Sequence, residues 1–374
     1  MVLAIFTITN CGNAIYLLNK INEVIMNTIK IFEEAVKLKA SDIHLTVGLP
    51  PIFRIHGELI QYNEYKLKPH HSEAVIKEIT TDSQWNFLKE KGELDFSYSL
   101  QGICRFRINA YRQRDAYSLS ARIIPTEIPS ISGMNLPESY KYFASLKRGL
   151  VLFTGPTGSG KSTSLAAIID HINKTRNVKI LTIEDPIEFL HSHGGCIVDQ
   201  REVGQDSKDY ETGLRAALRQ DPDVILLGEM RDLDSISIAM TAAETGHLVF
   251  STLHTKGAIS AVDRIIDAYP ANQQNQVRLQ LSTVIEGVVS QQLLKKSEGG
   301  GRLPAIEVMV ANPAIRNYIR EGKTTQILNV MQTNKGEGMM TMDNAIYDLF
   351  TYSHITKEEA VEHAYDRKYL MSKM

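Results

Sequence analysis

The stretch GLVLFTGPTGSGKS (149–162) decides the fold. Its first six residues predict a short buried strand, and GPTGSGKS (155–162) directly after it fits the phosphate-binding pattern G-x-x-x-x-G-K-[ST]. A helix is predicted to begin at Lys161, so strand, loop and helix follow in the order that a P-loop requires. Backbone N–H groups of such a loop surround phosphate oxygens, and the helix N-terminus adds positive potential. The stretch therefore predicts a site for a nucleoside triphosphate.

The residues of this loop have separate expected roles. Lys161 can reach the β- and γ-phosphates, and the Ser162 hydroxyl can bind Mg²⁺. ATP and Mg²⁺ are therefore the expected cofactors. The residues of the loop that we expect to bind nucleotide are Gly155, Pro156, Thr157, Gly158, Ser159, Gly160, Lys161, Ser162 and Thr163.

The sequence after residue 140 predicts a parallel α/β sheet. Short aliphatic runs alternate with helical stretches, which is typical of a parallel sheet covered by helices on both faces. The predicted strands are 149–154, 178–184, 223–229, 247–253 and 303–310. The predicted helices are 161–174, 209–220, 233–245, 258–268 and 273–295, followed by 313–321, 324–332, 341–350 and 356–366.

The strand in DPDVILLGEMRD (221–232) ends in Gly228-Glu229. The carboxyl end of a strand in such a sheet lies on the same edge as the P-loop, where ligands bind. Glu229 is therefore a candidate catalytic carboxylate that positions or deprotonates a water for attack on the γ-phosphate. The Asp that usually holds Mg²⁺ at the end of this strand is absent, and Gly228 stands near its place.

A second strand, in TIEDPIEF (182–189), ends in Glu184 and Asp185, with Glu188 following. Three acids so close together are costly unless cations or water accompany them. Mg²⁺ with ATP would supply the cation, so Glu184 and Asp185 are predicted to be metal ligands together with Ser162. A solvated acidic turn is the alternative.

Two histidines, His247 and His254, bracket the strand in ETGHLVFSTLHT (244–255). Their spacing places them on opposite faces of a regular strand, so a shared metal is not expected. One of them is expected to contact or sense phosphate, and the other to be a structural hydrogen-bond former.

The first part of the chain predicts a different kind of domain. Residues 27–125 contain alternating strands at 42–47, 51–57, 92–100 and 104–125, with helices at 27–39, 71–80 and 83–91. This pattern indicates an α+β domain built around an antiparallel sheet. The predicted organisation is an N-terminal extension at 1–26, a domain at 27–125, a linker at 126–139 and a second domain at 140–374.

The composition narrows the class of protein. The chain has 374 residues and a formal net charge of -2, which argues against a protein whose main task is to hold DNA or RNA. Three widely spaced cysteines without a CxxC pair exclude a zinc ribbon and favour reduced thiols. Segment 1–19 lacks the basic start of a signal peptide, and no run of 18 strongly apolar residues predicts a membrane span.

The four blocks GPTGSGKST, TIEDPIEF, VILLGEMRD and TGHLVFSTLHT resemble, in this order, the secretion ATPases of type II and type IV pilus systems. In that family they form a Walker A loop, an Asp box, a Walker B motif and a His box. ASDIHLTVGLPPIFRIHGEL (40–59) and RFRINAYRQRDAYSLSARIIP (105–125) look like the PAS-like N-terminal domain of the pilus retraction subfamily. AIRNYIRE (314–321) looks like its C-terminal motif.

This resemblance implies a RecA-like P-loop core with a helical C-terminal tail. It implies a homohexameric ATPase at the cytoplasmic face of the inner membrane, which drives pilus retraction and twitching motility by acting on the membrane platform protein. It also implies that Glu184 and His254 act with Glu229 in catalysis, that His247 reads the nucleotide state, and that arginines of the N-terminal domain reach the phosphates. The arginines at matching positions are Arg105, Arg107 and Arg122.

Other functions stay open at this point. A pilus extension ATPase, or an assembly ATPase of type II secretion or DNA uptake, belongs to the same superfamily; the absence of a tetracysteine zinc site favours retraction. A P-loop kinase or GTPase is disfavoured because no NKxD signature occurs: Asn173-Lys174 continues Thr175-Arg176. AIRNYIRE is either an ordinary amphipathic helix or a helix that transmits motion.

Overall fold

The computed structural model describes residues 28–125 and 127–374. The chain forms two compact units that divide between residues 126 and 127. The predicted extension at 1–26 and Cys11 lie outside the described residues. Cys104 and Cys196 are both buried and free. In the described part of the chain, no helix is both long and apolar enough to cross a membrane.

The first unit is an α+β domain, as predicted. Its helices are α1 (Thr28–Lys37), α2 (Pro69–Ile79) and α3 (Asp82–Lys91). Its strands are β1 (Asp42–Leu45), β2 (Ile52–Ile55), β3 (Glu58–Gln61), β4 (Glu93–Leu100), β5 (Cys104–Gln113) and β6 (Ala116–Ile124). They form an antiparallel sheet in the order β3-β2-β1-β6-β5-β4.

Strand β5 shows how the sequence pattern builds this sheet. Phe106 and Ile108 are completely buried and pack in the core that contains Phe32 of α1, while Arg107 between them is exposed. Alternate side chains of a strand point to opposite faces, so the same strand lines the core and presents a polar face. The turn to β6 has positive φ angles at Arg114 and Asp115, as a tight hairpin requires.

The second unit contains a seven-stranded sheet in the order β13-β12-β7-β11-β10-β8-β9. Its strands are β7 (Gly149–Thr154), β8 (Lys179–Glu184), β9 (Ile197–Glu202), β10 (Val224–Leu227), β11 (Leu248–Leu253), β12 (Ile285–Lys295) and β13 (Arg302–Val310). All neighbours are parallel except β13, which pairs antiparallel with β12. Strands β7 and β11 are buried along their whole length, which explains why apolar residues predominate in both.

Helices cover the sheet of the second unit and form the C-terminal tail. They are α4 (Ser139–Ser145), α5 (Lys161–Thr175), α6 (Tyr210–Ala217), α7 (Leu233–Glu244), α8 (Ala258–Asp267), α9 (Gln274–Val284), α10 (Pro313–Arg320), α11 (Ile327–Thr333), α12 (Met342–Thr351), α13 (Lys357–His363) and α14 (Arg367–Lys373). Short 3-10 helices lie at Thr324–Gln326 and Lys335–Glu337.

The prediction of one helix over 273–295 is wrong, because its second half is strand β12. Val288 and Val289 are β-branched, and a short apolar run without clear periodicity does not distinguish a buried strand from a helix. Gly287 lets the strand pass the ring of Phe143: a Cβ there would lie 2.3 Å from the ring. Pairing with β7 and β13 therefore overrides the local helical pattern.

The segment predicted as a linker and the helix in AIRNYIRE both pack on the core of the second unit. In the segment predicted as a linker, Ile131 and Leu136 are 3% and 7% exposed and belong to the core beside α5. In AIRNYIRE, Ile315 and Ile319 are completely buried against the sheet. Arg316 forms an ion pair with Glu286 (2.9 Å) and donates to carbonyl groups at the end of α9. This helix is therefore docked firmly on the core by its apolar stripe.

Candidate functional site

The P-loop and the acidic strand ends surround one cavity of about 630 Å³ at the carboxyl edge of the parallel strands. The predicted residues that line it are Thr157, Gly158, Gly160, Lys161, Ser162, Thr163, Glu184, Asp185, Glu229 and His254. Ser159 is buried instead, and Gly155 and Pro156 contribute backbone carbonyls to the loop.

Lys161 is the basic group at the centre of this site. Its Nζ donates to the carbonyl oxygens of Gly155 (2.8 Å) and Pro156 (3.0 Å), and the residue is only 8% exposed. Burial lowers the pKa of the amine, although Glu229 and Glu188 oppose this effect. A buried ammonium group that faces an open cavity is suited to bind an anion such as phosphate.

Helix α5 begins at the cavity without a side-chain cap. Its N-cap residue is Gly160, with φ of 90°, so no N-cap side chain accepts from the first N–H groups. Such groups, with the positive end of the helix dipole, are a ready anion site. A magnesium-bound triphosphate fits this arrangement. The N–H groups of the helix end and the Lys161 ammonium group suit the phosphates, and the Ser162 hydroxyl suits the magnesium ion.

Strand β12 packs directly against the P-loop through Gln291, a contact that sequence reasoning missed. A Cβ at Gly155 would lie 2.3 Å from the Gln291 carbonyl oxygen, and one at Gly160 would lie 3.0 Å from Nε2. The Ser164 hydroxyl donates to Oε1 of Gln291 at 3.0 Å. Gly155 must be glycine because the backbone of the neighbouring strand occupies the space of a side chain. At Gly160 the positive φ of 90° and the close amide of Gln291 both favour glycine.

The Glu229 carboxylate lies between a histidine and an arginine. Its Oε1 is 3.2 Å from Nε2 of His254, and its Oε2 accepts from Nε of Arg231 at 2.7 Å. Arg231 also lies 3.8 Å from Asp185. The Glu229 side chain is 19% exposed. Both oxygens are thus held, while the cavity gives a water molecule access to the carboxylate. The role of Arg231 was not visible in the sequence.

Glu184 is held at the neighbouring strand end. Its Oε1 accepts from Thr182 Oγ1 (2.7 Å) and from Gln200 Nε2 (3.3 Å). Burial raises its pKa to about 7. Because Asp185 and Ser162 line the same cavity, the predicted metal ligands do come together. Their hydroxyl and carboxylate oxygens fit the ligand preference of Mg²⁺.

The structure explains why glycine stands where a metal-binding Asp is common. A Cβ on Gly228 would lie 2.9 Å from the hydroxyl of Tyr210 and 3.3 Å from the Cα of Glu184. Tyr210, which begins α6, lines the cavity, and burial raises its pKa. A side chain at 228 would therefore press on Tyr210 and on the backbone of Glu184. The acids that line the cavity beside it are Glu184, at the end of β8, and Asp185 directly after it.

The two histidines lie at opposite ends of β11. His254 follows the strand at the cavity, whereas His247 precedes it at the other edge of the sheet. Nδ1 of His247 is 2.9 Å from the carbonyl oxygen of Ala242 and 3.2 Å from Thr245 Oγ1. The structure therefore brings His254 but not His247 to this pocket, and the contact of His247 with nucleotide stays a prediction.

The three arginines of the first unit differ in their partners. Arg122 is paired with Asp42 (3.0 Å), and Arg105 donates to Ser99 (3.2 Å). Arg107 is exposed and has no side-chain partner in the described residues. It lies in register between Ser97 and Arg122 on the polar face of the sheet. Their predicted contact with phosphate stays a prediction.

Fold and site together define a P-loop protein of the RecA-like class, with a phosphate-binding loop facing a positioned carboxylate. A family model described as type II/IV secretion system protein matches residues 18–298, and the chain belongs to this family. Its two units have the fold of the secretion ATPases.

Curated relatives and solved structures agree with this assignment. The type IV pilus retraction ATPase PilT of Pseudomonas aeruginosa is 45% identical over 339 residues, which cover 91% of this chain and 98% of the relative. A twitching motility protein of Neisseria gonorrhoeae is 44% identical over 86% of this chain and 88% of its own length. A crystal structure of the pilus retraction motor PilT with bound ADP matches with a TM-score of 0.85 and 46% identity, over 92% of this chain and 99% of that chain.

Proposed function

We propose that this chain is a subunit of a homohexameric motor that hydrolyses ATP to drive type IV pilus retraction, and with it pilus disassembly and twitching motility. It would work at the cytoplasmic face of the inner membrane, on the pilus platform protein. The observation that carries the proposal is the Glu229 carboxylate, held by His254 and Arg231 opposite the P-loop lysine in one cavity. The similarity to a pilus retraction motor supports retraction rather than extension of the pilus.

The residues of the cavity divide the chemistry between them. Lys161 and the N-terminus of α5 would bind the phosphates, and Glu229 would orient a water and accept its proton. Mg²⁺, held by Ser162 with Glu184 and Asp185, would neutralise charge on the transferred phosphoryl group. His254 would keep the carboxylate in place from one side while Arg231 holds the other oxygen. Each of these contacts serves γ-phosphate cleavage by water.

A motor also needs nucleotide states that favour different arrangements of the protein. Only a ligand that binds two arrangements with different affinity can shift their balance. We infer that the predicted linker between the two units would serve as the hinge for such a change. Binding and loss of the γ-phosphate would bias this hinge in each subunit of a ring.

The test is pilus imaging in a deletion strain complemented with variants. The strain complemented with Lys161→Ala should carry retained, excess pili and should not twitch, because pili extend but cannot be withdrawn. Lys174→Ala is the matched control, since Lys174 lies on the same helix but pairs with Asp170 at the surface (2.7 Å). It should restore twitching. Absence of pili in the deletion strain would instead assign the chain to extension.

A biochemical test separates the motor from other P-loop proteins. Purified protein should release phosphate from ATP with Mg²⁺ and form hexamers with nucleotide, as measured by light scattering. A strict monomer with rapid hydrolysis would contradict the ring motor.

A further inference from the structure

His254 stands at the start of a short connection between β11 and α8, and the first part of this connection is tied to the P-loop strand. The hydroxyl of Thr154, the last residue of β7, is 2.5 Å from the carbonyl oxygen of Thr255 and accepts from the Thr255 N–H at 3.1 Å. The residue next to His254 is therefore fixed to the strand that leads into the phosphate-binding loop.

The other end of the connection is tied to buried polar groups of β12 and β13. The N–H of Gly257 donates to Oγ of Ser290 at 3.2 Å, and the N–H of Ala258 donates to Oε1 of Glu307 at 2.6 Å. Ser290 is completely buried and Glu307 is 5% exposed. Buried side chains that accept from backbone N–H groups fix a loop, because leaving those groups unpaired is costly.

The same buried groups also bind the C-terminal tail. Oγ of Ser290 is 3.2 Å from the hydroxyl of Tyr365, and Oε2 of Glu307 accepts from the N–H of Met342 at 3.1 Å. The N–H of Tyr365 in turn donates to Asp343 of α12 at 2.7 Å. Ser290 and Glu307 therefore connect the tail to the loop, because each of the two side chains contacts both segments.

The ring of Tyr365 adds a direct contact with the loop. Gly257 has φ of 87°, and a Cβ there would lie 3.1 Å from the ring and 3.3 Å from Glu307. Only glycine allows the loop to pass between the two side chains in this conformation. The Tyr365 ring therefore packs directly against the connection that follows His254.

We propose that Tyr365 is a positioning residue for His254, and that the C-terminal tail is thereby part of the catalytic apparatus. Its hydroxyl holds Ser290, Ser290 holds Gly257, and the short connection between Gly257 and Thr255 leaves His254 little freedom to move away from Glu229. The inference rests on the proposed ATP hydrolysis and on the contact of His254 with Glu229. It assigns to the tail a role in turnover besides that of packing.

The experiment compares Tyr365→Phe with Tyr352→Phe, each in the wild-type chain and in a His254→Ala background. Tyr352 is a matched control because it lies in the same tail, is 72% exposed and has its ring beside His354 rather than beside the loop. Hydrolysis of radiolabelled ATP is followed with enzyme in excess, so that slow variants stay measurable. Tyr365→Phe should lower the single-turnover rate constant about threefold to tenfold, as expected for one buried hydrogen bond, with little change in the concentration that gives half-maximal rate.

The His254→Ala background distinguishes positioning from general damage. If Tyr365 acts through His254, Tyr365→Phe should have almost no further effect in this background, since coupled residues are not additive. An equal loss in both backgrounds, or wild-type turnover of Tyr365→Phe, would overturn the proposal. Ser290→Ala is a second variant, and it should lower the single-turnover rate constant by a similar factor and add nothing to Tyr365→Phe.

Chemical modification of His254 tests its positioning without a measurement of ATP turnover. Diethyl pyrocarbonate modifies imidazoles, and mass spectrometry reports the rate at each histidine. Tyr365→Phe should raise the rate at His254 and leave that at the exposed His354 unchanged; an unchanged rate at His254 would overturn the proposal. A wild-type chain that does not hydrolyse ATP would refute the proposed function, whereas active wild type with an unchanged His254 would refute the positioning role alone.

Discussion

The carboxylate of Glu229 and the imidazole of His254 lie 3.2 Å apart although they follow different strands. The neighbouring strands β10 and β11 are parallel and in register, with Leu227 beside Ser251. Two further hydrogen bonds join β11 to the residues that follow β10: Thr252 Oγ1 donates to the carbonyl oxygen of Gly228 (2.6 Å), and the N–H of Met230 donates to the carbonyl oxygen of Thr252 (3.1 Å). The sheet itself therefore holds the acid and the histidine together, which favours a precise site over a mobile one.

Replacing Glu229 should separate binding from turnover. Glu229→Gln keeps the shape of the side chain but removes the base, so hydrolysis should fall by about two to four orders of magnitude. ADP affinity should stay within a few-fold of wild type, because Lys161 and the helix N-terminus are intact. Phosphate release and calorimetric titration measure the two quantities. Glu211→Gln, at an exposed ion pair with Arg215 on α6, is the control; wild-type hydrolysis by Glu229→Gln would disprove the assigned role.

Arg231 should matter for turnover through its hold on Glu229. Arg231→Gln removes the 2.7 Å hydrogen bond to Oε2 and leaves the carboxylate held by His254 alone. We expect kcat to fall about tenfold with KM for ATP nearly unchanged, because loss of a hydrogen bond to a charged group costs about 1.5–3 kcal/mol and part of it is offset by water. Steady-state kinetics test this expectation. The control is Arg219→Gln, on the surface beyond α6, which should behave as wild type. A rise in KM without a fall in kcat for Arg231→Gln would contradict the positioning role of Arg231.

The sequence predicts the site residues that belong to local motifs, but not those whose position depends on contacts with residues distant in the chain. The P-loop, Glu229 and the acids after β8 could be predicted because each follows an aliphatic strand and parallel strands end at one edge. Gln291 was hidden because its strand was predicted as a helix, and only pairing with β7 makes it a strand. Arg231 belongs to no sequence motif that predicts a role for it. Its contacts with Glu229 and Asp185 depend on the pairing of β10 with β8 and β11 in the folded sheet.

Gly228 offers a test of packing at the catalytic edge. Gly228→Ala would place a methyl group 2.9 Å from the Tyr210 hydroxyl, and the backbone at Glu184 limits any relaxation. Overpacking of this kind costs about 1–3 kcal/mol, so the melting temperature should fall by several degrees and hydrolysis should decrease as Tyr210 is displaced. Gly336→Ala is the control, because nothing lies within 4 Å of a Cβ there. Equal melting temperatures for the two variants would show that the site accepts a side chain.

His191 should make the stability of the chain fall in mild acid. It lies beside the P-loop helix with Nδ1 buried and without a hydrogen-bond partner among the described residues. Burial lowers its pKa from the usual 6.5 of histidine to about 4.

The sign of the effect follows from proton uptake. Between pH 6.5 and 4 the unfolded chain binds a proton at His191 that the folded chain does not, so the free energy of unfolding decreases as the pH falls through this window. A shift of this size corresponds to at most about 3 kcal/mol. His191→Gln should remove this component, so guanidinium unfolding at pH 7.5 and pH 5 should show a smaller acid loss than wild type. His354→Gln, at an exposed imidazole of the same unit, should keep the wild-type loss; the same acid loss in His191→Gln as in wild type would mean that the buried imidazole is not the group responsible.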